Sequence, residues 1–464
     1  MSDTSLKSSV LTRRDFIATG AKLSAAVLAA PYIMRGQAAT RGDAINVALI
    51  GCGEQGRVLL NAAIKIPNLR FRAVCDIWPY NRTYGERLLK KFGHDVRPFE
   101  DYREMLSAVP DIDAVIVATP DFVHAEHTNA ALRAGKHVYC EKLMAHTVEA
   151  ARSMVLTARE TGKLLQIGHQ RRSNPRYLHA KEKLIKDARL LGRITNASGQ
   201  WNRAVSDDLG APANHVLSEA KLNQYGYANM HEFRNWRWFK RYAGGPISDL
   251  GAHQIDIFNW VLGSNPRSII AGGGADYYTT HEWYDNATAI YEYPTPEGLV
   301  RATYGVLTTT SAGGGYHEYF MGDEGALKIS ENPKYTKLYR EARAPEWDQW
   351  VEKGLIAKPE SGEGAPPPVK AWEKPRAKLS TGPARGSVVD VRETAELSAW
   401  DIPVTLDKAI HQPHLENFFD AIRHGTPLNC PAESAFATAV TVLGVNRAIA
   451  AQKMLTFAPE DFVV

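Results

Sequence analysis

From Ala44 onward, short β-branched runs alternate with stretches of helical periodicity. Ile45 to Ile50 is a continuous apolar run, the pattern of a strand buried on both faces of a parallel sheet. Behind it Val58, Leu59, Ala62 and Ala63 recur at helical spacing. The same alternation continues. Phe71 to Cys75, Asp113 to Ala118, His137 to Cys140 and Leu164 to Ile167 read as strands, and Val148 to Thr161 reads as a helix. Strands alternating with helices of this length predict a doubly wound parallel sheet, whose ligands lie at the carboxyl ends of the strands.

The residues at those ends carry chemistry. Gly51, Gly53 and Gly56 follow the first strand in G-x-G-x-x-G spacing. They provide a tight turn, close backbone approach to a pyrophosphate and close helix–strand packing, and the helix N-terminus offers free N–H groups to phosphate. Asp76 ends the second strand, 20 residues after Gly56. A carboxylate there accepts the hydroxyls of an adenosine ribose and repels a 2′-phosphate. Ile77 and Trp78 follow it rather than a basic residue, so NAD is favoured over NADP, with Arg82 the residue that leaves NADP open. Thr119 and the pair Glu141-Lys142 end later strands and face the same crevice, and His124 sits on the helix after Thr119.

A second candidate cluster lies beyond Gly244-Gly245-Pro246. Leu250 to Leu262 reads as a helix ended by Gly263, and Asp249, His253 and Asp256 recur at i, i+4 and i+7 on one face. On spacing alone Ser248 or Asp249 is equally a helix cap and His253 equally a core histidine. Just before it comes an aromatic, polar stretch with Tyr225, Tyr227, His231, Phe233, Trp236, Trp238, Phe239, Arg241 and Tyr242. Such a surface suits sugar rings, and it suits a core or subunit interface as well.

Composition narrows the class. Hydrophobic residues are 44% and charged residues 23% of 464, which excludes disorder, coiled coil and a polytopic membrane protein. Four cysteines without CxxC spacing exclude a disulfide scaffold; Cys52 and Cys75 read as small core residues. His281-Glu282 and the pair His411/His414 lack a complete ligand set, so no metal is assigned. Residues 1–40 hold five Lys/Arg against two acidic residues, so three of the four net positive charges sit there and no nucleic-acid footprint remains. That segment has Arg13-Arg14 ahead of an apolar run from Phe16 to about Ala30 and then small residues. This order predicts a twin-arginine signal peptide, hence the twin-arginine export machinery as a partner and a periplasmic or otherwise exported protein; a retained anchor is the alternative.

Taken together, GCGEQG at 51–56, AVCD ending at Asp76, ATPDFVH at 118–124, CEKL at 140–143, GHQRRSNPRY at 168–177, GGPISDLGAHQID at 244–256 and HLENFFDAIRHGTPLNCPAE at 414–433 resemble the glucose–fructose oxidoreductase / inositol dehydrogenase (Gfo/Idh/MocA) family. The resemblance implies an α/β fold, with a Rossmann domain over residues 41–167. A second domain over residues 168–464 would carry a large, open, predominantly antiparallel sheet. It implies nicotinamide chemistry on sugars or polyols, with Gly51, Gly53, Gln55, Gly56, Asp76, Thr119, His124, Glu141 and Lys142 at the cofactor. His253 would be the acid/base, Lys142 its partner at the reacting oxygen and Asp249 the orienting residue. Arg171, Tyr177, Tyr225, His231, Trp238 and Asp256 are candidate substrate contacts. A homo-oligomer, dimer or tetramer, is expected because the open sheet usually buries one face. The chain departs from the family at Leu143, where Pro usually follows Glu-Lys, and in a Pro-rich stretch over 340–400 that reads as an extended arm.

The leading expectation is an exported NAD-dependent oxidoreductase of a sugar, polyol or glycoside hydroxyl, its cofactor tightly held. Alternatives are an NAD-dependent glycosidase working through a transient 3-keto sugar, with Tyr225 or His231 as the extra base, and, remotely, a non-catalytic sugar-binding protein.

Overall fold

The computed structural model describes residues 44–359 and 397–464. The export signal read on residues 1–40, and the part of the Pro-rich arm from 360 to 396, lie outside them. The first sheet comprises β1 (Ile45–Ile50), β2 (Leu69–Cys75), β3 (Arg97–Phe99), β4 (Ala114–Val117), β5 (His137–Cys140) and β6 (Leu165–Ile167) in the order β3-β2-β1-β4-β5-β6. Every pairing in it is parallel. Helices α1 (Glu54–Ala63), α2 (Pro79–Lys91), α3 (Tyr102–Ala108), α4 (His124–Arg133) and α5 (Val148–Thr161) connect the strands. Val47, Ala48 and Leu49 are fully buried, as a central strand covered on both faces requires. The order reverses between β1 and β4, which opens the crevice at their carboxyl ends.

The second sheet has nine strands: β7 (Ile194–Asn202), β8 (Ser268–Gly274), β9 (Asn286–Thr295), β10 (Gly298–Leu307), β11 (Tyr316–Gly322), β12 (Gly325–Ile329), β13 (Lys337–Arg340), β14 (Ser398–Trp400) and β15 (Leu455–Thr456). Their order is β14-β13-β12-β11-β7-β10-β9-β8-β15, with β7–β10 parallel and the other pairings antiparallel. Along β9, Ala287, Ala289, Tyr291 and Tyr293 are buried while Thr288 and Ile290 are exposed, so one face is packed and the other open. The helix α6 (Ala252–Leu262) lies on the packed face, where Phe258 meets Phe320 edge-on and Tyr293 donates to Asn259.

The boundary drawn at 167/168 does not hold for the chain's end. Helix α7 (Gln412–His424) returns to the parallel sheet, and its Leu415, Phe418 and Phe419 share a core with Val47, Leu49 and Tyr139. Helix α8 (Ala432–Ala451) contributes Phe436, Ala439 and Val440 to the core that α5 also lines. A parallel sheet needs both faces covered, and the last helices complete that cover. The described ends of the Pro-rich stretch close on one another: β13 pairs with β14, Trp347 packs on Trp400, and Ala357 bridges Asp401.

Candidate active site

The turn from β1 to α1 forms the cradle. Gly51 has φ +94°, and a Cβ there would lie 2.6 Å from the Ala118 carbonyl carbon; one on Gly56 would lie 2.0 Å from the Gly51 oxygen. At Gly53 the opposite holds. A Cβ would meet only the Asn81 amide at 3.9 Å, so open space lies where a phosphate would approach the backbone. Asp76 is fixed at the end of β2 by accepting from the Cys52 and Trp78 N–H groups, both at 2.8 Å. Burial raises its carboxyl against these hydrogen bonds. Arg82 is spent on the Asp76 carbonyl (2.6 Å) and lies 4.0 Å from Glu100, which leaves the ribose end of the crevice acidic. Gly51, Gly53, Asp76 and Thr119 line one cleft of about 500 Å³. An open backbone cradle followed by a ribose-height carboxylate fits a dinucleotide without a 2′-phosphate.

Beyond Thr119 the cleft leads to a smaller pocket lined by Lys142, Asp249, Asp121, Trp236 and Arg237. Lys142 follows β5, and its peptide bond to the buried Leu143 is cis. Its ammonium donates to the Asp249 carbonyl at 2.5 Å and lies 4.0 Å from the carboxylate. Asp249 sits in a wide helical turn, Ile247–Gly251, that precedes α6; the regular helix thus begins two residues later than the sequence pattern suggests. Arg237 donates to Asp249 at 3.1 Å and Arg203 lies 3.9 Å away. Burial works to raise the Asp249 carboxyl, yet Arg237, Lys142 and Arg203 hold it well below the usual carboxylate range. Burial pulls the Lys142 ammonium down, and Asp249 and Glu141 partly restore it. Burial, then the charges of Lys142 and Arg171, hold His253 well below its ordinary value, so its ring is neutral. Trp201, at the end of β7, lies 5.5 Å from the His253 ring and stacks on Tyr316 at 4.4 Å.

Other expected site residues fall into place differently. Glu141 is buried and accepts from Gln55 (3.1 Å), which also meets His411 (3.1 Å). His124 has Nδ1 and Nε2 at 2.8 and 2.7 Å from the Leu143 and Thr119 carbonyls, so it braces two strand-end loops and offers no group to a cofactor. Arg171 and Tyr177 do not face the cleft. Arg171 pairs with Glu318 and Glu331, and Tyr177 donates to Glu318, all inside the core. Asp256 is likewise consumed, by two hydrogen bonds from Arg172 (2.8 and 2.7 Å) and one from Thr438. A buried ion must be paired, and these pairs satisfy one another. Tyr225 donates to Glu100 beside Asp76, at the ribose end of the cleft and away from Lys142. His231 meets Asp208, and Trp238 stacks on His281 at 4.4 Å, so their polar and ring faces are engaged.

Three residues at the site escaped the sequence pattern: Arg237, Arg203 and Trp201. Arg237 stands inside the aromatic stretch, 12 residues before Asp249. It is one of four cations among the aromatics there, with Arg234, Lys240 and Arg241, and nothing local singles it out. Nothing local marks Arg203 or Trp201, whose places depend on where β7 lies in its sheet.

Comparison with known proteins agrees with this architecture. The oxidoreductase family with an NAD-binding Rossmann fold (Gfo/Idh/MocA) matches residues 45–169, and the Gfo/Idh/MocA C-terminal domain matches residues 182–328. The 1,5-anhydro-D-fructose reductase of Ensifer adhaerens is 36% identical over 169 residues, 36% of this chain and 43% of that protein. Inositol 2-dehydrogenase of Rhizobium meliloti is 24% identical over 349 residues, 69% of this chain and 92% of that protein. Against the first of its curated relatives the chain spans about half their length. A crystal structure of aldose–aldose oxidoreductase from Caulobacter crescentus, complexed with glycerol, has TM-score 0.63 at 16% identity and covers 89% of this chain and 100% of that one, which shows a shared fold.

Proposed function

This chain belongs to the Gfo/Idh/MocA oxidoreductase family, and on that basis we propose that it is an NAD-dependent oxidoreductase acting on a secondary hydroxyl of a sugar, polyol or glycoside. One observation carries the proposal. Lys142, held at 2.5 Å on the Asp249 carbonyl, stands at a strand's carboxyl end next to a dinucleotide cradle, with the neutral His253 on the following helix. When bound, NAD supplies the hydride acceptor. Gly51, Gly53 and Asp76 would hold its phosphates and ribose, and Glu141 the nicotinamide side.

The protein's own task is the proton. A carbinol cannot give up a hydride without shedding its hydroxyl proton, and a neutral imidazole is the acceptor suited to that step near pH 7. His253 is neutral because burial and Lys142 disfavour its charged form. Lys142 keeps a cation beside the oxygen on which negative charge develops, and Asp249 fixes that cation in place. Trp201 and Tyr316, stacked beside His253, offer aromatic surface to the C–H face of a sugar ring. The names of relatives, among them a D-glucoside 3-dehydrogenase and a levoglucosan dehydrogenase, support a carbohydrate substrate.

Arg13-Arg14 and the apolar run after them support export by the twin-arginine route. The open face of the second sheet supports a homo-oligomer. An exported dehydrogenase cannot draw on the cytoplasmic NAD pool, so a tightly held, internally recycled cofactor follows from export.

The test is to denature the purified protein, identify the released nucleotide by mass and ultraviolet absorbance, and incubate loaded protein with sugars and glycosides. Stoichiometric NAD(H) with keto-sugar products supports the proposal. Release of free aglycone would replace it with redox-neutral hydrolysis, for which Tyr225 and His231 are engaged elsewhere as bases. Failure to carry or bind NAD would overturn the redox reading.

A further inference from the structure

The proton chemistry above uses only one end of the cleft. Over its other end lies a roof, built by residues 203–243 between β7 and the Gly244 turn. Ile77 and Phe122, from the loops after β2 and β4, pack into a separate apolar cluster with Leu222, Tyr227 and Tyr242 of the roof. Phe122 meets Tyr227 and Tyr242 at 5.7 and 5.2 Å. The outer rim is polar. Glu100, just after β3, accepts from the Tyr225 hydroxyl at 2.7 Å and pairs with the Lys221 ammonium. Trp78 donates its indole N–H to the His215 carbonyl at 2.6 Å, and the Arg234 guanidinium lies over the Trp78 ring at 4.9 Å.

Tyr225 and Arg234 line the same cleft as Gly51, Gly53 and Asp76. A dinucleotide laid on that floor therefore has its adenosine half between floor and roof. The charges also match. Glu54 in the first turn of α1, Asp76 and Glu100 make the floor acidic, which disfavours a diphosphate. Arg234 in the roof returns a positive charge to the cleft, whereas Arg237, three residues on, is held by Asp249. None of Lys221, Tyr225, Trp78 or Arg234 lines the pocket that holds Lys142 and Asp249.

We propose that residues 203–243 are a cofactor-retaining clamp, closed over the adenosine half of NAD by the latch of Glu100 with Lys221 and Tyr225, with Arg234 serving the diphosphate. This rests on the NAD reading of the crevice and adds the element that sets how long NAD stays. Release then requires the latch to open, so breaking it speeds dissociation without touching the groups that handle the proton.

The measurement is the rate constant of NADH release from full-length protein loaded with NADH, followed by the change in its dihydronicotinamide fluorescence in the presence of excess competing ADP-ribose. Tyr225→Phe is expected to raise it about tenfold, the loss of one hydrogen bond to a charged group. The pair Lys221→Met/Tyr225→Phe raises it further and lowers the NAD retained through gel filtration. Arg234→Gln, at the opposite rim, provides a second route to the same readout should the paired variant not fold. Release rates within twofold of wild type in NADH-loaded Tyr225→Phe and Arg234→Gln overturn the clamp alone. A wild type that neither carries nor binds NAD overturns both clamp and cofactor.

Discussion

Three cations compete for one carboxylate at Asp249, and the outcome sets the charge state of the site. Asp249 offsets part of the burial that pulls Lys142 down. Asp249→Asn removes that support, so the Lys142 ammonium loses its proton at lower pH. The basic limb of kcat/KM then moves downward by about one to three units. A limb that stays in place would mean that another group sets it. For His253 the direction is opposite in consequence: its depressed value keeps the ring neutral, so the wild-type acid limb lies below pH 6.5. His253→Ala is expected to cut kcat by about two to four orders of magnitude while NAD content is retained. Turnover equal to wild type would remove His253 from the mechanism.

On the scale of the element, the β1–α1 turn separates folding from binding within three residues. Gly51→Ala puts a methyl against the Ala118 backbone in a left-handed conformation. It is expected to cost about 1–3 kcal/mol of stability, read as a lowered Tm in calorimetry. Gly53→Ala meets nothing closer than 3.9 Å, so the fold is kept while the added methyl occupies the phosphate space. NAD titration of that variant should show affinity at least tenfold weaker at an unchanged Tm. Unchanged affinity would place the phosphates elsewhere. The element also shows how far pattern reading reaches. β1, β5 and α5 appear with the bounds their apolar patterns gave, because local periodicity and caps suffice there. Thr147 caps α5 and Gly162 ends it in the left-handed conformation. The turn at Ile247–Gly251 was not legible, since its wide winding depends on packing against β7, β10 and α8, which are distant in the chain.

Across the whole molecule, buried histidines govern the response to acid. Burial lowers His124, His169 and His317 to about 4, His127 and His414 to about 3, and His253 well below its ordinary value. Unfolded, each would titrate near 6.5, so below that pH the unfolded chain binds the extra protons and stability falls. Burial also raises Asp121 and Glu318 to about 7 and Asp76 above its ordinary value, and these oppose the trend, because there the folded state holds the proton. Among the described residues the lowered histidines outnumber the raised carboxyls, so stability decreases from pH 6.5 to about 4.5, by about 1.4 kcal/mol per pH unit for each uncompensated group. Calorimetry across that window is the check; a Tm that rises on acidification would show that the histidines are solvated.

Local sequence determined the parallel sheet, the glycine cradle, Asp76 and the Lys142 strand end, because short-range steric rules and burial patterns act within a few residues of each. Spacing also nominated Asp249 and His253. It could not tell a cleft-facing charge from a paired one. Arg171, Tyr177 and Asp256 have the polarity of substrate contacts, and only the packing of residues 170–178 against α6, β11 and the turn after β12 shows them neutralised by Glu318, Glu331 and Arg172. Arg237, Arg203 and Trp201 reach the site from separate loops and strands for the converse reason. Which charges meet is decided by contacts distant in the chain, and those exist only once the two sheets have packed.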